Sequence, residues 1–491
     1  MAPKSFRPSL RSVPRFALAA TVLAALTACA NYSGIRPEAT LRETPSLGLS
    51  ADAAPVASID AEWWHGFQDA QLDQLVAQAL EGSPSLKLAQ ARLRRAQAAT
   101  ELADAATLPQ IGADVSATHQ KYTATGAVPA PLAGSIRDTG TAQLTASWEL
   151  DFFGKNRAAL DAALGQAKAA QADTQAARVL LVSQVARSYF QLLRLDGQLQ
   201  LANRTLAQRS ELLQLVQDRV SAGLDTRLEL KQSEGSLPEA RQQVEALNEQ
   251  IALARNALSA LVGKPNVADA LKLPALAAIK TAANAQAIPA DLLGRRADIA
   301  AARWRIEAAG QDVASAKAQF YPNINLVGFA GFSSIGLGNL LQSNSQQWGI
   351  GPAIHLPIFD AGRLRAGLRG KTADLDAAVE SYNAALVDAV RDVADQLASQ
   401  QSIALQQTQQ QQAQAASEAA YEIAVQRYRA GLGNYLNVLS AETAVLAQRR
   451  LQVDLAARAL DTQVALIRAL GGGYTANAPE SIAARAGGIS G

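Results

Sequence analysis

The sequence has few of the residues from which catalytic and metal sites are usually built. Its 491 residues include one cysteine and three histidines. A single thiol excludes a disulfide framework and a cysteine-based zinc site, and three scattered histidines leave little for a histidine-based metal centre. The chain also lacks a nucleophile–base arrangement and a phosphate-binding glycine loop. We therefore predict a protein that is not an enzyme and that needs no cofactor or metal.

Charge and aromatic content are also low. Charged residues make up 18% of the chain and aromatic residues 5%, whereas an average soluble domain has roughly 25% charged residues. The formal net charge is +2, but the segment 1–28 contains four basic residues and no acidic one, so the rest has 41 basic and 43 acidic residues. Nucleic-acid binding needs clustered positive charge, and this balance gives it no support.

The N-terminal segment has the pattern of a lipoprotein signal peptide. The apolar run 16–28 is shorter than the roughly 20 residues of a transmembrane helix. The only cysteine follows in Leu26-Thr-Ala-Cys29, which resembles the bacterial lipobox; the alternative is an ordinary secretory signal with a chance cysteine. We predict a signal peptide over 1–28, acylation of Cys29 and an acylated tether over 29–60. Ala30 is not the aspartate that the resemblance links to inner-membrane retention, so we expect a lipoprotein of the outer membrane.

The rest of the chain is an internal duplication. At an offset of 208 residues the two halves align without gaps over a long stretch, and both contain Arg-x-x-Ala-Gly-Leu, at 219–224 and 427–432. Upstream the offset is 213, and the change falls in the connection between predicted strands. Chance agreement of Ala-rich helices does not explain the shared break. We predict repeats over 61–264 and 295–472, a linker over 265–294 and a flexible tail over 473–491.

Each repeat has the same predicted order: a helix, two strands, a long helix and a return helix. Period-2 alternation indicates strands at about 110–120, 141–153, 323–332 and 347–359, of which the third is the weaker match. Segments without proline at about 154–222 and 362–430 indicate the long helices. Apolar residues spaced three and four apart in the first of these are typical of a coiled coil.

The strand pattern allows two interpretations, a half-buried soluble sheet or a transmembrane barrel with an apolar lipid side and a polar lumen side. Strands of roughly 10 residues joined by Gly- and Ser-rich loops favour the barrel. One chain supplies only four strands, and no open sheet edge is tolerated in lipid. Copies must therefore combine, giving eight strands from two chains or twelve from three, and the residues alone do not decide between these numbers.

Several motifs resemble those of the TolC/OprM family of outer membrane factors, and within it the NodT-like lipoproteins of tripartite RND-type efflux systems. The clearest are Ser147-Trp-Glu-Leu-Asp-Phe-Phe-Gly154, Ala318-Gln-Phe-Tyr-Pro-Asn-Ile324, Pro357-Ile-Phe-Asp-Ala-Gly-Arg363 and Tyr435-Leu-Asn-Val-Leu-Ser-Ala-Glu442. The resemblance covers about 60–473. It implies a mainly α fold with a transmembrane β-barrel, in which a homotrimer forms a twelve-stranded barrel and an α-helical periplasmic tunnel.

The function that this resemblance implies is passive conduction of drugs or toxic compounds to the exterior. The partners would be an inner-membrane pump, a periplasmic adaptor and outer-membrane lipid. A proline that starts a helix in the family motif is replaced by Ala297, which leads us to expect a change at that helix start. Alternatives are a type I-like conduit for exported polypeptides and a structural coiled-coil envelope lipoprotein. A structural coiled-coil lipoprotein would not need the alternating apolar and polar residues of segment 141–153, so this segment argues against that alternative.

The resemblance also implies where the functional residues lie. Adaptor hairpins would meet the helix tips at Gly223, Leu224, Gly431 and Leu432. The following helix starts would line the periplasmic constriction, with the candidate residues Asp225, Arg227, Leu228, Glu229, Leu436, Asn437 and Ser440. Well-known members carry carboxylates and an arginine where the second repeat has Gly433, Asn437 and Ser440. We therefore expect charged gate residues in the first repeat, with Leu228 and Leu436 as apolar plugs.

Overall fold

The fold is described from a computed structural model, which describes residues 32–42, 59–280 and 292–474. The predicted signal peptide, Cys29, most of the tether and most of the tail lie outside the described residues. The helices are α1 (Ala70–Gly82), α2 (Pro84–Ala105), α3 (Lys155–Ser221), α4 (Arg227–Val262), α5 (Leu292–Arg295), α6 (Ala297–Ala318), α7 (Arg363–Arg429) and α8 (Tyr435–Ala469). The strands are β1 (Gln110–Lys121), β2 (Ile136–Leu150), β3 (Asn323–Ile335) and β4 (Gln346–His355).

The order of elements is the same in both halves of the chain. Helices α2 and α6 each have 22 residues, and α3 and α7 each have 67. The starts of α2 and α6 differ by 213 positions and those of α3 and α7 by 208. The change in offset therefore falls within the strand pairs that separate these helices.

Helix α6 begins at Ala297, the position at which the family motif has a proline. Ala297 is its first residue and is buried. Proline is favoured at the first helical position because its absent N–H needs no partner there, and alanine has the highest helix propensity of all residues. The Asp298 carboxylate accepts from the Ile299 N–H at 2.9 Å and pairs with Arg296 at 2.7 Å. Asp298 and Arg296 therefore supply the polar contacts at this helix start.

The four strands form one antiparallel sheet in the order β1-β2-β3-β4. Registered partners place one apolar face across all four strands, including Ile111, Val115, Leu144, Ala146, Trp148, Leu326, Ala330, Trp348, Ile350 and Ile354. The opposite face is mainly polar. Ile111, Val115, Trp348 and Ile350 are all more than 70% exposed in the single chain, so this chain leaves the apolar face uncovered.

Several strand limits differ from the sequence prediction: β2 begins at Ile136 instead of about 141, β3 continues to Ile335 instead of about 332, and the ends of β2 and β4 come earlier. Strand β2 stops at Leu150 because the Asp151 carboxylate accepts from the Arg157 N–H at 2.8 Å and Gly154 has φ +75°, which turns the chain into α3. Strand β4 stops at His355. There, Asp360 caps α7 by accepting from the N–H groups of Gly362 and Leu364. Each segment predicted as the end of a strand is therefore a connection that starts a long helix.

The described residues divide into two compact units. One comprises 32–41, 94–168 and 303–381, with a core around Val313, Phe320 and Leu368. The other comprises residue 42, 59–93, 169–280, 292–302 and 382–474, with a larger core around Phe67, Tyr189 and Phe190. Each unit takes residues from both repeats, so a repeat is not itself a compact unit.

Ion pairs join helices of the two repeats within the second unit. Along α3 and α8, Arg187 pairs with Asp461 at 2.5 Å, Arg194 with Asp454 at 2.9 Å, and Arg209 with Glu442 at 3.1 Å. The first two pairs are seven residues apart on both helices, which is the heptad spacing of a coiled coil. No helix in the described part of the chain is long and apolar enough to cross a membrane.

Candidate functional site

The candidate site lies at the two turns that join α3 to α4 and α7 to α8. Both long helices end in the same hydrogen-bond pattern: Leu224 N–H donates to the Arg219 carbonyl at 2.8 Å, and Leu432 N–H donates to the Arg427 carbonyl at 2.8 Å. Gly223 and Gly431 have φ +72° and +75°. A glycine in this left-handed conformation closes a Schellman motif without the strain that a Cβ causes.

The return helices begin with different caps. In the first repeat the Thr226 hydroxyl accepts from the Leu228 N–H at 3.1 Å, and the Glu229 carboxylate accepts from the Thr226 N–H at 2.9 Å, forming a capping box. The bond from the Thr226 side chain lowers the pKa of Glu229. In the second repeat Asn434 accepts from the Asn437 N–H at 3.0 Å. Glu229 and Asn437 therefore lie at equivalent helix starts, and the carboxylate of Glu229 is engaged within its own helix.

Asp225 forms the tip latch, which we define as Asp225, Arg219 and Tyr428. Arg219 binds the Asp225 carboxylate through two nitrogens, at 2.9 and 3.2 Å. The Tyr428 hydroxyl from α7 donates to the same carboxylate. Arg219 also donates to the Tyr428 carbonyl at 3.0 Å, and its guanidinium lies 4.6 Å from the centre of the Tyr428 ring. The latch thus joins the turn of the first repeat to the end of α7 in the second.

The tip latch is shielded from water and shifts the pKa values of its members. The side chains of Arg219 and Asp225 are 11% and 10% exposed. Burial by itself would raise the pKa of Asp225, but the hydrogen bonds from Arg219 and Tyr428 outweigh it and hold that pKa below its usual value. Burial and the bond to Asp225 raise the pKa of Tyr428. The carboxylate is therefore ionised and the phenol neutral at physiological pH.

The second repeat has no equivalent of this latch. Arg427 is the counterpart of Arg219, but Gly433 stands where the first repeat has Asp225. Arg427 instead donates to the Leu432 carbonyl at 3.1 Å. The counterpart of Tyr428 is Val220. Asp225 was a candidate from the sequence, whereas Arg219 and Tyr428 were missed, although the replacement of Val220 by a tyrosine between repeats was a usable signal.

The remaining candidates lie on the exposed surface of the single chain. Leu224, Leu228, Leu432 and Leu436 are each at least 60% exposed. The polar candidates Arg227, Asn437 and Ser440 are also exposed. The structure of one chain therefore leaves four leucines uncovered close to the two turns. In the described residues, no cluster of three or more potential metal ligands is present here or elsewhere.

A buried ion pair lies further along the helices that these turns connect. The Arg209 Nε donates to both carboxylate oxygens of Glu442, at 3.1 and 3.2 Å, and an Nη donates to the Ser236 carbonyl at 3.0 Å. The Glu442 side chain is only 5% exposed. Burial opposes the charge of Arg209, but Glu442 and Glu239 outweigh it and raise the Arg209 pKa. Three helices, α3, α4 and α8, are joined at this point.

This architecture is shared with known proteins of one family. The sequence profile of the family described as "Outer membrane efflux protein" matches residues 75–264 and 288–472. The fusaric acid resistance protein FusA of Burkholderia cepacia is 38% identical over 72% of this chain and 68% of its own length. The putative multidrug resistance outer membrane protein MdtQ of Escherichia coli K12 is 32% identical over 96% of this chain and 99% of its own.

A solved structure has the same fold. The outer membrane protein VceC of Vibrio cholerae superposes with a TM-score of 0.80 at 38% identity, covering 84% of this chain and 99% of VceC. The family profile matches most of the chain in two segments, and MdtQ aligns over 96% of it. The chain therefore belongs to the outer membrane efflux protein family, and it is an efflux channel protein of the outer membrane rather than an enzyme.

Proposed function

We propose that three copies of the chain close a twelve-stranded transmembrane barrel that continues into an α-helical periplasmic tunnel. The observation that carries this proposal is the uncovered sheet. All twelve residues of β1 are exposed, and β1 and β4 are the two edges of a four-stranded sheet. Unpaired strand edges are not tolerated in lipid. Pairing β1 of one copy with β4 of the next satisfies both edges and repeats until the ring closes.

The orientation of the barrel wall follows from the two faces of the sheet. The face with Trp148, Trp348 and Ile350 is apolar and meets lipid, while the polar face lines the lumen. Three copies with four strands each give twelve strands, compared with the roughly eight of the smallest common barrels. The homotrimer supplies a lumen through which solutes pass without coupled energy. Conduction in this channel is therefore passive.

The turns of the two repeats form the closed periplasmic end of the tunnel. Six turns from three chains surround one opening, and the tip latch of each chain fixes its two turns to each other. Leu228 and Leu436 are uncovered in one chain and act as apolar plugs at this opening. Asp225 holds the closed arrangement through Arg219 and Tyr428, and Arg227, Glu229, Asn437 and Ser440 line the constriction beside it.

The same turns receive the periplasmic adaptor. Leu224 and Leu432 directly follow Gly223 and Gly431 and are exposed at equivalent positions. Equivalent apolar tips suit a helical hairpin partner that docks repeatedly around the ring. The adaptor connects the channel to an inner-membrane pump. The transported compounds are small molecules, in keeping with FusA and MdtQ, whose names concern fusaric acid and multidrug resistance.

The mature chain is a lipoprotein anchored by a palmitoylated N-terminal cysteine. The Cys29 thiol is alkylated by a diacylglyceryl group, and removal of the signal peptide then leaves an α-amine that accepts the fatty acid. Residues 32–41 then lie on the unit that contains the sheet: the N–H groups of Glu38 and Ala39 donate to Asp376 at 2.9 and 3.0 Å. The described part of the tether, residues 32–41, and the barrel strands therefore belong to the same compact unit.

Deletion of the gene tests this proposal. The deletion strain is expected to become sensitive to several chemically distinct small compounds, and expression of the wild-type chain from a plasmid restores resistance. Unchanged sensitivity across a broad panel, together with loss of a secreted polypeptide from the medium, would favour the polypeptide conduit. Unchanged sensitivity together with altered envelope spacing would favour the structural lipoprotein.

A further inference from the structure

The polar face of the sheet carries an apolar island. Val327 and Phe329 on β3 point to the face that otherwise bears Thr, Ser, Asn and Gln, and their side chains are 41% and 42% exposed. Their partners on β4 are Gly351 and Gly349. This island explains why β3 showed the weaker alternation in the sequence. Because the apolar face is already complete without these residues, they are not needed to cover the lipid side.

Phe329 lies across a glycine of the neighbouring strand. A Cβ added to Gly349 would lie 2.7 Å from the Phe329 Cε1 atom and 3.0 Å from its Cζ atom. The glycine therefore makes room for the ring, which covers the β4 backbone; an aromatic side chain across from a strand glycine stabilises a sheet in this way. Covering Gly349 uses only one side of the ring. The other side remains available on the polar face.

A carboxylate stands in the neighbouring row of the same face. The Asp114 carboxylate on β1 accepts a hydrogen bond from the Thr145 hydroxyl at 3.1 Å, and Thr145 is the registered partner of Phe329. The Asp114 carboxylate on β1 and the Phe329 ring on β3 are therefore separated by one strand, β2, and Thr145 of β2 lies between them. The ionisable residues on the polar face of the four strands are Asp114, Arg137, Glu149 and His355.

Asp114 differs from the other charges on this face. Arg137 and His355 lie near strand ends, and Glu149 is neutralised by Lys155 at 2.6 Å. Asp114 is exposed, and within the described part of the chain it forms no ion pair. The duplication does not repeat the arrangement, because Val327 and Ser116 stand at the counterparts of Asp114 and Phe329. Each chain therefore has one such pair of residues.

We propose that Asp114 and Phe329 form a binding site in the barrel lumen for small molecules that carry both a positive charge and an aromatic ring. The proposal rests on the proposed trimer, because only the closed barrel turns this polar face into a lumen. The cation pairs with the Asp114 carboxylate while the ring of the ligand stacks on the free side of Phe329. Three copies of the site line the pore at one level. Cationic aromatic compounds therefore pause there during passage, whereas anions do not.

Block of single-channel current in planar bilayers tests the site. The probes are ethidium, a planar aromatic cation; tetramethylammonium, a cation without a ring; and naphthalene-1-sulfonate, an aromatic anion. Ethidium is expected to block the wild-type channel at the lowest concentration of the three. Because exposed contacts with a cation or a ring are individually weak, Asp114→Asn and Phe329→Leu should each raise the half-blocking ethidium concentration about two- to fivefold. The double variant should show about the product of the two effects.

Matched variants on the other face serve as controls. Phe332→Leu changes the same residue type on β3, and Asp138→Asn removes a carboxylate from β2, but both residues lie on the apolar face. Neither should change ethidium block. Phe329→Tyr keeps the ring and should retain the block, which separates loss of the ring from a disturbed sheet.

The outcomes separate this proposal from the proposed channel. Normal wild-type conductance with equal ethidium block in Asp114→Asn or Phe329→Leu would overturn the site and leave the channel standing. Equal weakening by Phe332→Leu, or block by naphthalene-1-sulfonate as strong as that by ethidium, would also overturn it. Absence of any wild-type conductance would contradict both proposals.

Discussion

The Tyr428 hydroxyl donates a hydrogen bond to the Asp225 carboxylate, although the two residues are 203 positions apart and belong to different repeats. Arg219 binds both oxygens of the same carboxylate. A single buried carboxylate therefore ties the first turn to the end of the second long helix. If the two turns move apart when the channel opens, this carboxylate must lose a partner.

We expect Tyr428→Phe and Asp225→Asn to favour the open channel. A hydrogen bond to a charged group contributes about 1.5–3 kcal/mol, so losing it shifts the closed-to-open ratio by on the order of tenfold or more. Mean single-channel conductance in planar bilayers should rise in both variants, and the double variant should add little to Asp225→Asn. Tyr421→Phe on the same helix is the control and should conduct as the wild type does. Wild-type conductance in Tyr428→Phe would show that the latch does not hold the gate.

Acid should open the same latch. The pKa of Asp225 lies below its ordinary value of 3.8 in the folded chain, so its stabilising contribution is fully present above that value and is lost as the pH falls through the lowered pKa. Conductance should therefore stay constant from neutral pH to about pH 4 and rise below it. Asp225→Asn should lack this rise. An increase that begins between pH 5 and 7, or that persists in Asp225→Asn, would assign the effect to another group.

Changing Gly223 or Gly431 to valine should abolish efflux while leaving the trimer intact. Both residues have positive φ, which costs a residue with a side chain about 1–2 kcal/mol, so the tip has to rearrange. The control is Gly235→Val, because Gly235 lies within α4 and nothing is within 4 Å of an added Cβ. Compound sensitivity of complemented deletion strains measures the effect. Full resistance with Gly223→Val and Gly431→Val would show that the tips do not dock the adaptor.

The buried pair of Arg209 and Glu442 should matter more for stability than the exposed pair of Arg187 and Asp461. Removing one partner of a buried ion pair costs about 3–5 kcal/mol, whereas exposed pairs contribute about 0–1 kcal/mol. Thermal unfolding of the detergent-solubilised protein should therefore show a large loss for Glu442→Gln and little change for Asp461→Asn. Equal shifts in the two variants would contradict this ranking.

The repeats, the strand pattern and the helix-ending glycines were readable from the sequence because each depends on local spacing. Leu144, Ala146 and Trp148 alternate within one strand, and Gly223 ends a helix through bonds to its own last turn. The partners of Asp225 were not readable in this way. Tyr428 contacts Asp225 because α3 packs against α7. A repeating pattern of apolar residues within one helix cannot predict a contact between residues 203 positions apart. The ends of β2 and β4 were misplaced because apolar residues such as Phe152 and Ile358 continue the strand pattern into the connections.

Acylation at Cys29 is tested by Cys29→Ser. The hydroxyl is a poorer nucleophile than the thiol, so the variant should not incorporate a radiolabelled fatty acid that labels the wild type. Barrel assembly should persist, because the strands hold the membrane without the lipid. Label on Cys29→Ser would contradict the lipobox, and an unlabelled wild type would do the same.

The mass of the purified particle tests the central claim most directly. Native mass spectrometry of the wild-type protein released from detergent should give three chains per particle, since three four-stranded sheets are needed to close the twelve-stranded barrel and no single chain can cover the edges of β1 and β4. A stable, folded monomer that remains soluble without detergent would contradict the channel, and a stable dimer would contradict the twelve-stranded barrel.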